Sequence, residues 1–186
     1  MTADTVKSAS ITTLDGTTQQ PPANTQLTEG IGAPGRLINH SDFVAATAAG
    51  LQSTSSTYKL VRITTKAILK SGDLVTKVGG DTSTSLTVDL GAYYSDSTVD
   101  GTAYANQGTL ISANCFVANV AFGQSSAAAR IDALSNLDPS LRNSPLWAQV
   151  GLLSDPGGYI DIVLAPHVGA STGIAGNIGL DLRVVN

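Results

Sequence analysis

The strictest pattern in this chain is an alternation with a period of two. Near the C-terminus Ile178, Leu180, Leu182 and Val184 fill every second position, with Asp181 and Arg183 between them. Leu86, Val88, Leu90 and Ala92 alternate in the same way with Thr87, Asp89, Gly91 and Tyr93. Successive side chains of a β-strand point to opposite faces, whereas a helix would scatter these apolar positions around its axis. Both segments are therefore expected to be strands with one face on a core.

Other short runs, punctuated by Gly, Asp, Ser and Asn, extend the pattern from Tyr58 onward. Residues 58–63 and 74–78 read as strands, with Gly72-Asp73 and Gly79-Gly80-Asp81 as the turns beside them, because glycine supplies the positive φ that tight turns need. Residues 96–108 read as a loop. Residues 109–122 are apolar enough for a strand, although 112–117 also suits a helical turn. Ser144-Pro145-Leu146 to Gly151 carries the punctuation of a short helix: Ser as N-cap, Pro at the first helical position and Gly past the end. Asp155-Pro156-Gly157-Gly158 is a turn leading into residues 159–164, which are expected to form a hairpin with 178–184 across the Gly- and Ala-rich loop 166–176.

Composition supports this reading. Charged residues make up 13% of the 186 residues, and of fourteen acids only Glu29 is a glutamate. Lys, Arg and Gln, which favour helices, are sparse, while Thr, Val and Ile suit a pleated, half-buried surface. The expected fold class is all-β: an antiparallel β-sandwich, jelly-roll-like, with one short helix. It occupies residues 57–186. Residues 1–56 are rich in Thr, Ser, Gln, Gly and Pro, with scattered apolar side chains such as Ile11, Leu14, Leu27, Leu37, Phe43 and Val44. They are expected to be an extended arm that partner contact orders, since so little apolar area cannot offset the ordering entropy. The only helical hint in the arm is at residues 42–50.

The net charge of −4 removes the basic footprint that binding to nucleic acid requires. No apolar run is long enough to span a membrane, and residues 1–10 do not read as a secretory signal. The single Cys115 has no intrachain disulfide partner and is expected to be a structural thiol.

Two catalytic patterns occur in the wrong context. Gly169-Ala170-Ser171-Thr172-Gly173, with His167 just before it, spells the nucleophile elbow, but that device needs strand, turn and helix, and a strand is expected to follow here. Gly30-Ile31-Gly32-Ala33-Pro34-Gly35 spells the dinucleotide fingerprint without the preceding strand or following helix. No His or Cys pair has zinc-ligand spacing, and the acids around Asp96 and Asp100 lack the alternation of a calcium loop. No cofactor, metal or catalytic residue is expected. Asp89 is read as facing solvent or a lysine, and Trp147 as core.

Several blocks resemble a known family. Val6-Lys7-Ser8-Ala9-Ser10-Ile11-Thr12-Thr13-Leu14-Asp15, Gly35-Arg36-Leu37, Tyr58-Lys59-Leu60-Val61-Arg62-Ile63 and Val88-Asp89-Leu90-Gly91-Ala92-Tyr93-Tyr94 are similar, in order, to small structural proteins encoded near the head genes of tailed bacteriophages. Pro145-Leu146-Trp147-Ala148-Gln149-Val150-Gly151-Leu152, Asp155-Pro156-Gly157, Tyr159-Ile160-Asp161-Ile162 and the strand from Gly173 to Val184 continue the similarity. The resemblance implies a non-enzymatic virion protein, assembled in the host cytoplasm, that decorates the capsid or head surface. The implied partners are the major capsid protein or other virion proteins and further copies of itself, with a trimer favoured. The arm residues Ile11, Leu14, Leu27, Arg36, Leu37 and Phe43 are the candidate partner contacts. A tail connector or fibre-base protein is the alternative placement, and a carbohydrate-binding adhesion module using Tyr93, Tyr94, Tyr104, Tyr159 or Trp147 is the alternative class.

Overall fold

The computed structural model describes residues 3–15, 37–76, 80–82, 84–95, 98–99, 102–103, 106–126 and 129–185. Its strands are β1 (Thr5–Lys7), β2 (Leu37–Ala46), β3 (Thr57–Thr64), β4 (Ile68–Thr76), β5 (Gly80–Asp81), β6 (Thr87–Tyr94), β7 (Thr98–Val99), β8 (Thr102–Ala103), β9 (Leu110–Ala121), β10 (Ala129–Asp132), β11 (Tyr159–Val168), β12 (Gly173–Ile174) and β13 (Gly176–Val185). The helices α1 (Ala9–Asp15), α2 (Ala48–Gln52) and α3 (Leu146–Gln149) are short.

The alternating segments build the sandwich. One sheet has the order β1-β3-β11-β6-β9 and the other β10-β4-β13-β2. All neighbours are antiparallel except β1, which runs parallel to β3. Ile160, Ile162 and Leu164 of β11, Leu90 and Ala92 of β6, and Ile178, Leu180, Leu182 and Val184 of β13 meet in one core. Asp181 and Arg183 stay on the exposed side of β13, as the alternation requires. The expected all-β sandwich is the observed architecture.

Several local expectations are corrected. β11 and β13 are not a hairpin: each has apolar residues to bury, and the connection carries the chain from one sheet to the other. Gly72-Asp73 is not a turn but the middle of β4, where Gly72 lets the side chain of Leu182 close over the strand. The reversal between β3 and β4 falls at residues 65–67. The helical hint at 42–50 divides in two: residues up to Ala46 are strand, and α2 begins at Ala48 with the Thr47 hydroxyl accepting from the Gly50 amide at 2.9 Å. Pro145, not Ser144, caps α3. That helix is tied to the β3–β4 reversal, because the amides of Leu146 and Trp147 donate to the carbonyls of Ala67 and Thr65 at 2.6 and 3.1 Å.

The ambiguity at 112–117 has a structural origin. Ala92 faces Ser112 while Leu90 faces Val117, so the β9 residues between them bulge out of the ladder. The bulge folds its backbone over Gly91, where a Cβ would run into the carbonyls of Ser112 and Ala113. Gly157 and Gly158, at φ 75° and 72°, make the turn before β11, and the Gly157 amide donates to the Asp155 carboxylate at 2.8 Å.

The segment expected as an extended arm contributes directly to the sandwich. β2 pairs with β13 through ten residue pairs without a register shift, and Val44, Ala46 and Leu51 enter the core. Apolar burial between the sheets orders this stretch, which its own composition does not.

Candidate interaction surface

β2 is the terminal strand of its sheet. Its even-numbered residues from Ile38 to Ala46 face inward and its odd-numbered residues face out. This places two large apolar side chains on the outer face, Leu37 at 51% and Phe43 at 58% exposure, separated by six residues or about 20 Å of strand. These are the two large apolar side chains that β2 leaves in solvent. Phe43 lies opposite Gly179 of β13, and Val75 of β4 reaches toward the same glycine, its Cγ2 lying 3.2 Å from where a Gly179 Cβ would be. The result is a shallow notch flanked by Phe43 and Val75. Beside it the face is polar: Ser41 donates to Asp181, and Arg130 pairs with Asp73 and holds that carboxyl below its usual range.

The N-terminal residues form a strap across the open side of the sandwich. β1 extends the first sheet beside β3, and the Thr57 amide donates to the Asp4 carbonyl at 2.7 Å. The Asp4 carboxylate accepts from the Thr47 amide at 3.2 Å, the Thr47 hydroxyl at 2.7 Å and the Tyr58 hydroxyl at 3.3 Å. Burial and this carboxylate both push the Tyr58 phenol upward, so it stays a donor. Gly50 leaves the room Asp4 needs, since a Cβ there would overlap the carboxylate. At the far end of the strap, Ser10 donates through its amide at 3.1 Å and through its hydroxyl to Asp42 of β2.

The candidate contact residues therefore separate. Leu37 and Phe43 share the outer face. Ile11 is fully buried under the strap, so it holds the strap down and presents no surface. The backbone of Leu14 is part of α1, but its side chain lies outside the described residues, as do Leu27 and Arg36. Asp4, Thr47, Gly50, Ser10 and Asp42, which position the strap, were not among the sequence candidates because their contacts join residues 32 to 54 positions apart.

The residues of the nucleophile-elbow pattern are committed to structure. Asp81, fully buried, accepts from the amides of Ser85, Leu86, Ser171 and Thr172 at 3.1–3.2 Å and from the Ser85 hydroxyl at 2.6 Å, tying two loops together. His167 Nδ1 lies 2.8 Å from Asp89, whose other oxygen accepts the Asn119 amide at 2.7 Å. Asn119 sits at φ 49° in a second bulge of β9, between Val117, which faces Leu90, and Val120, which faces Val88. Asp89 is thus largely buried and held by two exposed residues, His167 and Asn119, not facing solvent or a lysine. The dinucleotide-like glycines 30–35, Tyr104 and the acids Asp96 and Asp100 lie outside the described residues. Trp147, Tyr93, Tyr94 and Tyr159 are half-buried, and Trp147 is not one of the core residues. Burial pushes the Cys115 thiol up to about 12, leaving it protonated at neutral pH. Among the described residues no three His, Cys, Asp or Glu side chains cluster as metal ligands, and no helix is long and apolar enough to cross a membrane.

Two solved structures share this fold. A chain in the capsid asymmetric unit of cyanophage Pam1 superposes with a TM-score of 0.51 at 16% identity, covering 84% of this chain and 89% of that one. A chain in the capsid of Ralstonia phage GP4 gives a TM-score of 0.52 at 16% identity over 83% and 86%. The likeness covers the sandwich and most of each neighbour, and at this identity it is a likeness of fold. No protein-family model and no curated protein sequence matches the chain.

Proposed function

We propose that the chain is a non-enzymatic structural protein of a bacteriophage virion that decorates the outer surface of the head, in many copies and as a homo-oligomer, with a trimer the arrangement that suits local three-fold positions. The observation that carries this reading is the fold itself, shared along most of its length with chains from two phage capsids. The family resemblance of the sequence blocks points the same way. A sandwich with few charges and Ser/Thr-covered faces suits repeated display, and the part of residues 1–56 not committed to the sandwich supplies the contact with the shell. Within residues 1–56 Leu37 and Phe43 are the described side chains with apolar area still to bury. Leu27 and Arg36 belong to the same proposed contact.

Cosedimentation with emptied phage heads tests the assignment. The intact chain is expected to pellet with heads, and the Leu37→Ser, Phe43→Ser double variant to bind at least tenfold more weakly, since each truncated apolar anchor removes about 1 kcal/mol or more of contact energy. Both positions are exposed, so the free protein's stability should change by less than about 1 kcal/mol. An intact chain that stays in the supernatant counts against the head assignment.

A further inference from the structure

The strap is a self-contained cassette. Among the described residues its contacts run to groups that lie beyond the connecting stretch 16–36: Asp42 of β2, Thr47, Ser56, and Thr57, Tyr58 and Lys59 of β3. The receiving groove is equally specific. It offers the edge of β3 in register with Thr5, Val6 and Lys7, a niche at Gly50 that the Asp4 carboxylate fills because no Cβ occupies it, and the Asp42 carboxylate for Ser10. Ile11 is fully buried at the end of the cassette. None of these contacts requires strap and groove to belong to one chain. The stretch 16–36 has the length to span up to about 70 Å when extended. Its composition is rich in Thr, Gln, Pro and Gly.

We infer that the strap is exchanged between copies: on an assembled surface, residues 3–11 of one chain dock along β3 and β2 of a neighbouring copy and make there the same contacts they make within one chain. The occupant of the groove is a second copy's strap because the groove's partners are met by Asp4, Ser8 and Ser10 and by the Thr5–Lys7 register, which every copy carries. Exchange and closure within a chain then differ only in effective concentration, which a lattice of neighbours raises. This inference rests on the reading that the chain is displayed in many copies on a shell.

A mixed-cysteine experiment tests it. Thr5 and Thr57 are directly opposed across β1 and β3, a Cα separation suited to a disulfide. In a Cys115→Ala background, Thr5→Cys protein is mixed with Thr57→Cys protein and oxidised with copper phenanthroline, once on emptied heads and once free at about millimolar concentration. Neither single variant can close this bridge within its own chain. The exchange is expected to give a Thr5-to-Thr57 linked species at twice the chain mass on heads, identified by peptide mapping. The doubly substituted chain, carrying both cysteines, reports that the β1–β3 pairing forms at all. Linked dimer in the free sample without head binding upholds exchange and counts against the head assignment. Absence of the linked dimer in both samples, whether or not the doubly substituted chain closes on itself, overturns the exchange. Head binding in that case leaves the head assignment standing.

Discussion

Asp161 of β11 sits directly opposite Arg62 of β3 and receives both arms of its guanidinium, Nε at 2.6 Å and Nη2 at 2.9 Å, with both side chains buried. Lys59 Nζ adds a third contact at 3.6 Å. These groups alternate with the core residues Ile160, Ile162, Val61 and Ile63, so they lie on the sheet face turned away from the sandwich interior. A one-residue slip of β11 would separate the charges and bury the wrong side chains. Asp161→Asn leaves a buried guanidinium without its counter-charge and is expected to destabilise the fold by about 3–5 kcal/mol in chemical denaturation. Replacing the pair together, Arg62→Met with Asp161→Leu, is expected to recover part of that loss.

Asp81 gives a second expectation. Its carboxylate is the common acceptor for the loops at Ser85, Leu86, Ser171 and Thr172. Asp81→Ala removes this acceptor from the amides of Ser85, Leu86 and Thr172, while the Ser171 amide keeps the Ser85 hydroxyl at 2.8 Å, at a cost of about 3 kcal/mol. Hydrogen exchange should accelerate at Leu86 and Thr172 while β3 and β11 keep their protection.

His40 faces inward from β2, is buried, and its Nε2 has no hydrogen-bond partner among the described residues. Burial lowers its pKa below the model-compound 6.5. In the window between that lowered value and 6.5 the unfolded chain holds a proton that the folded chain does not. Stability is therefore complete above pH 6.5 and falls as pH drops through the window, with a slope of up to about 1.4 kcal/mol per pH unit from this group. Denaturation midpoints measured from pH 7.5 to 5.5 should show this fall, and His40→Leu should flatten it.

Two glycines distinguish rigid from yielding neighbours. At Gly91 an added Cβ meets backbone carbonyls of β9, which cannot move aside, so Gly91→Ala is expected to cost about 3 kcal/mol and to disturb the β6–β9 pairing. At Gly50 it meets the Asp4 carboxylate and the Tyr58 hydroxyl, and Asp4 can leave. Gly50→Ala is therefore expected to cost about 1–2 kcal/mol, with exchange protection lost at the Ser8 amide, which otherwise donates to the Lys59 carbonyl, and retained in the sheets.

Legibility in the sequence followed the hydrophobic period. β13 and β6 were readable because their inward positions are uniformly apolar. β2 was not, since His40 and Asp42 occupy two of its inward positions and break the alternation. β4 was divided by Gly72 and Asp73, residues that signal a turn locally and are kept in a strand by Leu182 and Arg130 from elsewhere in the chain. The strap was invisible for the same reason: Asp4 and Ser10 find their partners only after β2, α2 and β3 have come together. Of the apolar residues in the first 56, sequence could not separate Ile11, which is buried, from Leu37 and Phe43, which are exposed.

The central claim, that this sandwich decorates a phage head, is tested most directly by cryo-electron microscopy of virions that carry the chain. The account expects density for the two-sheet body repeated over the shell in hundreds of copies, with the outer face of β2 against the underlying capsid protein. A shell with no such density, or the chain confined to a single ring at the tail in roughly six to twelve copies, would contradict it.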